Sequence, residues 1–324
     1  MTDFTISNWL TARVGLLIFT AAICLGQARA QQGELHTYHV QGNVHMIVGA
    51  GGNVTVQTGP DGVLLVDTGL SQNADRLLAE VRKLSKGTIR FIVNTHVHPD
   101  HVGGNEIIGA AGKTITGGNV TGDIADAGIG ATILAQQNVL NRMSAPTGSE
   151  ASLPFKAWPN DTFLSRGKKI FFDGEAIEVI HIPSAHTDGD SMAFFRRSDV
   201  ISAGDIFVTT SYPIIDLQRG GNIQGVINGL NLIIDISVPA DKQEGGTYII
   251  PGHGRVCDQA DVVEYRDMVT IIRDRIQDGV RKGLTLDQVK ASHPTLDYDP
   301  VYGKGGGFWT SDMFIEAVYK SLKK

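Results

Sequence analysis

Asn94-Thr95-His96-Val97-His98-Pro99-Asp100-His101-Val102 places three imidazoles and one carboxylate within six residues. Imidazole nitrogen and carboxylate oxygen are the donors zinc takes when a site must stay open for chemistry. On an extended backbone alternate side chains face the same way, so His96 and His98 can grip one ion. Adjacent positions face apart, which frees Asp100 and His101 to turn toward a second. The spacing therefore points to two metals, against the alternative of a His-rich surface turn.

Upstream, residues 89–94 form a β-branched run that delivers this segment at its carboxyl end, where α/β architectures place chemistry. Residues 53–58 and 63–67 read as a hairpin around the turn Gly59-Pro60-Asp61-Gly62. Residues 39–48 read as a further strand. Apolar positions Leu77, Leu78, Val81 and Leu84 give residues 73–86 a helical period. Downstream, residues 117–168 are irregular. They read as an insertion over the site, with an interrupted helix across 120–143. Strand patterns return at 169–172, 176–182, 191–195, 200–203 and 247–250. Helical patterns cover 222–236, 258–283, 286–291 and 310–322, with a Gly-rich break at 303–307. The expected division is a signal peptide over 1–30, a catalytic domain over 31–266 and a helical tail over 267–324 packed on it.

The leader expectation rests on Arg13, an apolar run over 14–25 too short to span a bilayer, and the small-x-small signal Ala28-Arg29-Ala30. It implies a periplasmic or secreted protein without stable membrane insertion. The chain carries 28 Lys and Arg against 34 Asp and Glu, a net charge of −6, with no basic run, which argues against nucleic-acid partners. Of its 2 cysteines, only Cys257 lies beyond the leader, so the fold is expected to stand without an internal disulfide. Oligomeric state is undetermined.

Three further segments carry polar residues just after apolar strands, in glycine-containing turns. They are Ser184-Ala185-His186-Thr187-Asp188-Gly189-Asp190, Ser202-Ala203-Gly204-Asp205 and Pro251-Gly252-His253-Gly254. Together with the first motif they resemble the metallo-β-lactamase superfamily over roughly residues 38–266. The resemblance implies an αβ/βα sandwich, an α/β fold of two mixed sheets face to face with helices outside. It further implies that His96, His98 and His186 hold one metal, that Asp100, His101 and His253 hold a second, and that Asp205 bridges them. Asp67, in Val66-Asp67-Thr68-Gly69, matches a position that supports the metal loop.

Two cations roughly 3.5–4 Å apart can share a hydroxide that attacks a polarised carbonyl, with Asp100 orienting it and passing its proton to the leaving group. The expectation is therefore a two-zinc hydrolase acting on an ester, lactone, thioester or lactam bond of a small molecule. Within the resemblance, Asp205 looks like the bridging carboxylate of glyoxalase II-like thioesterases, lactonases and nucleases. It stands where some lactamases place a cysteine, which argues against a dedicated β-lactamase. An iron-dependent oxidoreductase or a metal-binding protein of the same fold is the reading from another class. Specificity is expected from 117–168 and from 209–221, where Tyr212 or Arg219 either binds substrate or serves packing of a surface loop. Phe155 and Trp158 are candidates for a lid or a cover of the core, and Asp188 and Asp190 for turn formers or partners of the ligand histidines.

Overall fold

A computed structural model describes residues 33–114, 130–145, 153–303 and 308–323. Residues 1–32, which include the expected leader, and parts of the 117–168 segment lie outside the described residues. In chain order the strands are β1 (His36–Gln41), β2 (Val44–Val48), β3 (Val54–Gly59), β4 (Gly62–Val66), β5 (Ile89–Val93), β6 (Thr132–Gln136), β7 (Asp161–Phe163), β8 (Gly167–Phe172), β9 (Glu175–His181), β10 (Ser191–Phe195), β11 (Val200–Ser202) and β12 (Tyr248–Ile250). The helices are α1 (Ala74–Leu84), α2 (Pro99–Val102), α3 (Asn105–Ala110), α4 (Gln137–Ser144), α5 (Ile223–Ile236), α6 (Gln259–Arg281), α7 (Leu286–Ala291), α8 (Asp299–Tyr302) and α9 (Ser311–Leu322).

Among the described residues the strands form two sheets, one running β1 to β7 in sequence order and the other ordered β12-β11-β10-β9-β8. Both are mixed. β4 to β7 pair in parallel, as do β11 and β12, while the remaining pairs are antiparallel. Strand alternation explains the layering. In β4, Leu64 and Val66 join Val44, Met46 and Val93 against Phe172, Val179 and Phe195 of the other sheet. Val63 and Leu65 point the opposite way and pack with Leu77 and Val81 of α1. Each such buried side chain contributes about 1.5–3 kcal/mol, and a one-residue slip would move the whole set to the wrong face. The second sheet turns Met192, Phe194, Ile201 and Ile249 toward α5, α6 and α9. The result is helix, sheet, sheet, helix.

Several expectations need correction. Residues 39–48 are not one strand but parts of β1 and β2, which turn at Gly42-Asn43 and pair antiparallel. The helix expected across 120–143 gives way to strand β6 from Thr132, followed by α4, while residues 115–129 lie outside the described residues. Pairing of β6 with β5 and β7 decides this, because it satisfies the backbone of a buried segment. β6 and β7 thus extend the first sheet instead of lying over it. Apart from these corrections, the described residues from Leu35 onward form one compact unit. No helix among the described residues is long and apolar enough to cross a membrane.

Candidate metal centre

The polar segments all leave the ends of buried strands: Asp67 after β4, residues 94–98 after β5, His186 between β9 and β10, Asp205 after β11 and His253 after β12. Two close contacts shape this edge. At Gly252 a β-carbon would overlap Asp205 Oδ1 and the Gly204 backbone, so glycine lets the His253 turn lie against the carboxylate. At Gly225, on α5, it would overlap the Ser184 carbonyl, so the helix seats directly on the His186 loop. These glycines admit other parts of the protein, not a ligand.

The first motif is not extended throughout. Residues 95–97 bend, and Pro99 starts the short helix α2 that carries Asp100 and His101. Asp67 anchors the segment. Its Oδ1 accepts the Thr95 amide at 2.8 Å, and its Oδ2 accepts the Thr95 hydroxyl at 2.6 Å and lies 2.7 Å from His101 Nδ1. Asp67 itself adopts φ 65°, in the left-handed region.

The structure brings the seven expected donors into two adjoining groups. His96, His98 and His186 form one, with His98 Nδ1 and His186 Nε2 2.7 Å apart. Asp100, His101 and His253 form the other, with His253 Nε2 3.1 Å from Asp100 Oδ2. Asp205 lies between them. Its Oδ1 is 3.2 Å from His101 Nε2 and 3.6 Å from His253 Nε2, and its Oδ2 is 3.7 Å from His186 Nε2.

These donors fit metal ions. His96 Nε2, His101 Nε2 and Asp205 Oδ1 are buried without a hydrogen-bond partner. A desolvated polar group left so costs about 1–3 kcal/mol unless something beyond the polypeptide satisfies it. The other nitrogens are already committed, which fixes each ring. Thr95 Oγ1 is 3.0 Å from His96 Nδ1, the Ile214 carbonyl accepts from His186 Nδ1 at 2.7 Å, and Asp216 Oδ2 lies 3.0 Å from His98 Nε2.

Electrostatics divides the groups. Burial lowers the pKa of His96 well below its ordinary value and takes His186 down to about 4, so both are neutral and ready to ligate. Burial opposes charge on His101 too, but Asp205 and Asp67 outweigh it and raise its pKa well above the ordinary value. On His253 burial is likewise outweighed, chiefly by its hydrogen bond with Asp100, and the pKa rises. Burial would raise Asp205, yet His101, His253 and His186 hold it well below the carboxylate range. A metal entering the second group must displace protons from His101 and His253. Metal uptake is therefore expected to release protons and to weaken as pH falls. Calorimetric titration in buffers of different ionisation heat measures this, and a buffer-independent heat would contradict it.

Asp216 emerges as a positioning residue. It holds His98 and also accepts from Arg219 Nη1 at 2.8 Å. Burial is outweighed by these partners, His98 first, which lower its pKa. Asp216→Asn is expected to weaken metal affinity about 10–100-fold. Competition with a chromogenic chelator reads this, and wild-type affinity would show that His98 needs no such partner.

Other candidates fall elsewhere. Tyr212 is fully buried, with its hydroxyl bonded to the Thr295 carbonyl at 3.2 Å and Asp299 Oδ1 at 3.0 Å, so it does not face substrate. Arg219 does line the cleft beside the metal residues. Trp158 donates to the Leu153 carbonyl and packs beside Val97 and Val139, while Phe155 is exposed; neither lines that cleft. Asp190 accepts from the Thr187 amide and hydroxyl and shapes the turn after His186, and Asp188 pairs with Arg142 at 2.6 Å. Cys257 is buried outside the metal groups, its thiol pushed by burial up to about 12.

The model of the metallo-beta-lactamase superfamily matches residues 47–265. The chain belongs to that superfamily. A linear primary-alkylsulfatase of Pseudomonas sp. (strain ATCC 19151) is 26% identical over 258 residues, covering 71% of this chain and 47% of the relative. Among solved structures, the stereoselective inverting sec-alkylsulfatase Pisa1 from Pseudomonas sp. superposes with TM-score 0.62 at 16% identity, over 89% of this chain and 50% of that one. A metallo-beta-lactamase from Pontibacter korlensis gives TM-score 0.53 at 14% identity, over 73% and 99% of the two chains. This superfamily member thus spans about half the length of the alkylsulfatases it matches.

Proposed function

We propose that this superfamily member is a two-zinc hydrolase that cleaves an ester bond of a small amphiphile, with an alkyl sulfate as the favoured substrate class. One observation carries the reading. His98, Asp100, Asp205 and His253 share a cleft of about 940 Å³ with Val208, Ile215, Leu217, Trp309 and Met313. Chemistry at one place and apolar surface around it suit a substrate with a reactive polar head and a hydrocarbon body. The alkylsulfatase relative favours sulfate as the head. The sequence led to an ester-, lactone-, thioester- or lactam-type bond attacked at a carbonyl, whereas a sulfate ester has no carbonyl carbon.

Five imidazoles and two carboxylates form a donor set that suits zinc. His96, His98 and His186 would hold one ion, Asp100, His101 and His253 the other, with Asp205 shared. Bound zinc supplies Lewis acidity and lowers the pKa of water from about 15.7 toward 7. Asp100 remains partly exposed, and His253 keeps its carboxylate ionised against the effect of burial. Its Oδ2 can take a proton from the attacking water and return it to the departing oxygen. The apolar walls orient the substrate and exclude water around its body. No nucleophilic side chain is needed.

We extend the proposal to export, with residues 1–30 as a cleaved leader and a periplasmic or secreted product acting on a small molecule. N-terminal sequencing of the mature protein reads that. For the reaction, metal analysis should give about two zinc per chain. The zinc protein should release sulfate from a medium-chain alkyl sulfate faster than it cleaves a lactone, thioester, aryl carboxylate ester, cephalosporin or phosphodiester. Preference for the cephalosporin would make it a β-lactamase, and bound iron with oxygen consumption would sink the hydrolase reading.

A further inference from the structure

The family match ends at residue 265, yet the chain beyond it returns to the cleft. Trp309 and, on α9, Met313, Ala317 and Lys320 all line it. The last three are spaced i, i+4, i+7 and share one helical face. Met313 is 42% exposed and Ala317 only 3%, while Lys320 is exposed again, so Ala317 is the buried midpoint of this face between an apolar end at Met313 and a charged end at Lys320 and Glu316. Lys320 continues the row one turn further and pairs with Glu316 at 2.7 Å. Phe314 and Val318 lie in the main core instead, which holds the helix in this orientation.

α9 is also fastened to the loop that orients the candidate ligands. Phe314 stacks on Tyr212 with ring centres 4.8 Å apart and planes within 6°. The Tyr212 hydroxyl and the Ser311 hydroxyl share Asp299 Oδ1. Two and four residues after Tyr212 come the Ile214 carbonyl and Asp216, which hold His186 and His98. The wall is therefore a fixed part of the cleft.

We propose that the C-terminal segment selects substrates by the length of their apolar chain, with Met313 and Ala317 as the specificity-determining residues. For its substrate this rests on the ester-hydrolase reading above. The apolar chain lies along α9 from Met313 toward Ala317, and the polar head lies at the metal residues. Met313 adds grip along the chain, and the small side chain of Ala317 leaves room for it.

Calorimetric binding of straight-chain alkanesulfonates, which carry no ester to cleave, tests this on the zinc-loaded full-length protein. Each added methylene should tighten binding about fourfold, the equivalent of roughly 0.8 kcal/mol per buried methylene, until the chain outgrows the wall. Ala317→Leu should end the gain at a shorter chain, and Met313→Gln should reduce the gain per methylene. Met313 is exposed enough for its variant to fold, so it decides alone should the Ala317 variant not accumulate. Wild-type slopes in the variants at wild-type zinc content, or no slope in the wild type, would overturn the assignment. If no ester is hydrolysed but the slope and its loss appear, the hydrolase reading fails and the chain-length wall stands. If sulfate is released at a rate independent of chain length, with flat binding, the hydrolase reading stands and the wall fails.

Discussion

Replacing Asp205 with alanine is expected to lower zinc content toward one per chain and to reduce kcat/KM by more than about 100-fold. Loss of an outer partner of a metal ligand costs about 10–100-fold, and a shared direct donor should cost more. The physical reason lies in where Asp205 sits. Its two oxygens face opposite groups, Oδ1 toward His101 and His253 and Oδ2 toward His186. It is also the buried negative charge most responsible for raising His101. Without it, two cations would be brought close together with no carboxylate between them. Elemental analysis and steady-state kinetics on the same preparation check both halves. Wild-type zinc and rate would remove Asp205 from the centre.

The second large effect belongs to a residue that touches no substrate. Asp67→Ala removes the acceptor for the Thr95 amide, the Thr95 hydroxyl and His101 Nδ1 at once. Two buried backbone and ring donors are orphaned, at about 1–3 kcal/mol each, and His101 loses one of the carboxylates that support its charge. The expected loss is about 3 kcal/mol of stability, a fall of roughly 5–10 °C in Tm for a chain of this size. Metal affinity should fall with it, since both His96 and His101 are oriented through this carboxylate. Thermal unfolding of the metal-free protein isolates the structural share. A Tm within 2 °C of wild type, a bound of about 1 kcal/mol, would show that Thr95 and His101 find other partners.

Much of this was legible in the chain because the signals were local. The hairpin around Gly59-Pro60-Asp61-Gly62 became β3 and β4, and the spacing of Leu77, Val81 and Leu84 became α1. Each site segment followed an apolar strand closely enough to be read from a dozen residues, and all seven named donors meet at one edge of the sheets. Long-range contacts were not legible. Nothing near Asp216 announces that it holds an imidazole 118 residues earlier. Tyr212, close after Asp205, was open to either substrate binding or packing, and packing holds because its hydroxyl is claimed by Thr295 and Asp299, more than 80 residues on. β6 was obscured because a five-residue strand beside glycines carries too little period to outweigh a helix, and only its neighbours settle it. The tail read as helices packed on a domain, with no sign that Trp309 and Met313 would return to the cleft.

The stack of Phe314 on Tyr212 has a thermodynamic corollary. One short loop presses on the cleft wall at one end and steers two metal-holding imidazoles at the other. A molecule that fills the cleft and favours this arrangement of the loop is expected to tighten binding of the proposed zinc ions. Linkage is reciprocal, so zinc must repay the same factor in affinity for the filling molecule. The C-terminal helix, outside the family match, would then contribute to metal affinity as much as it gauges substrate.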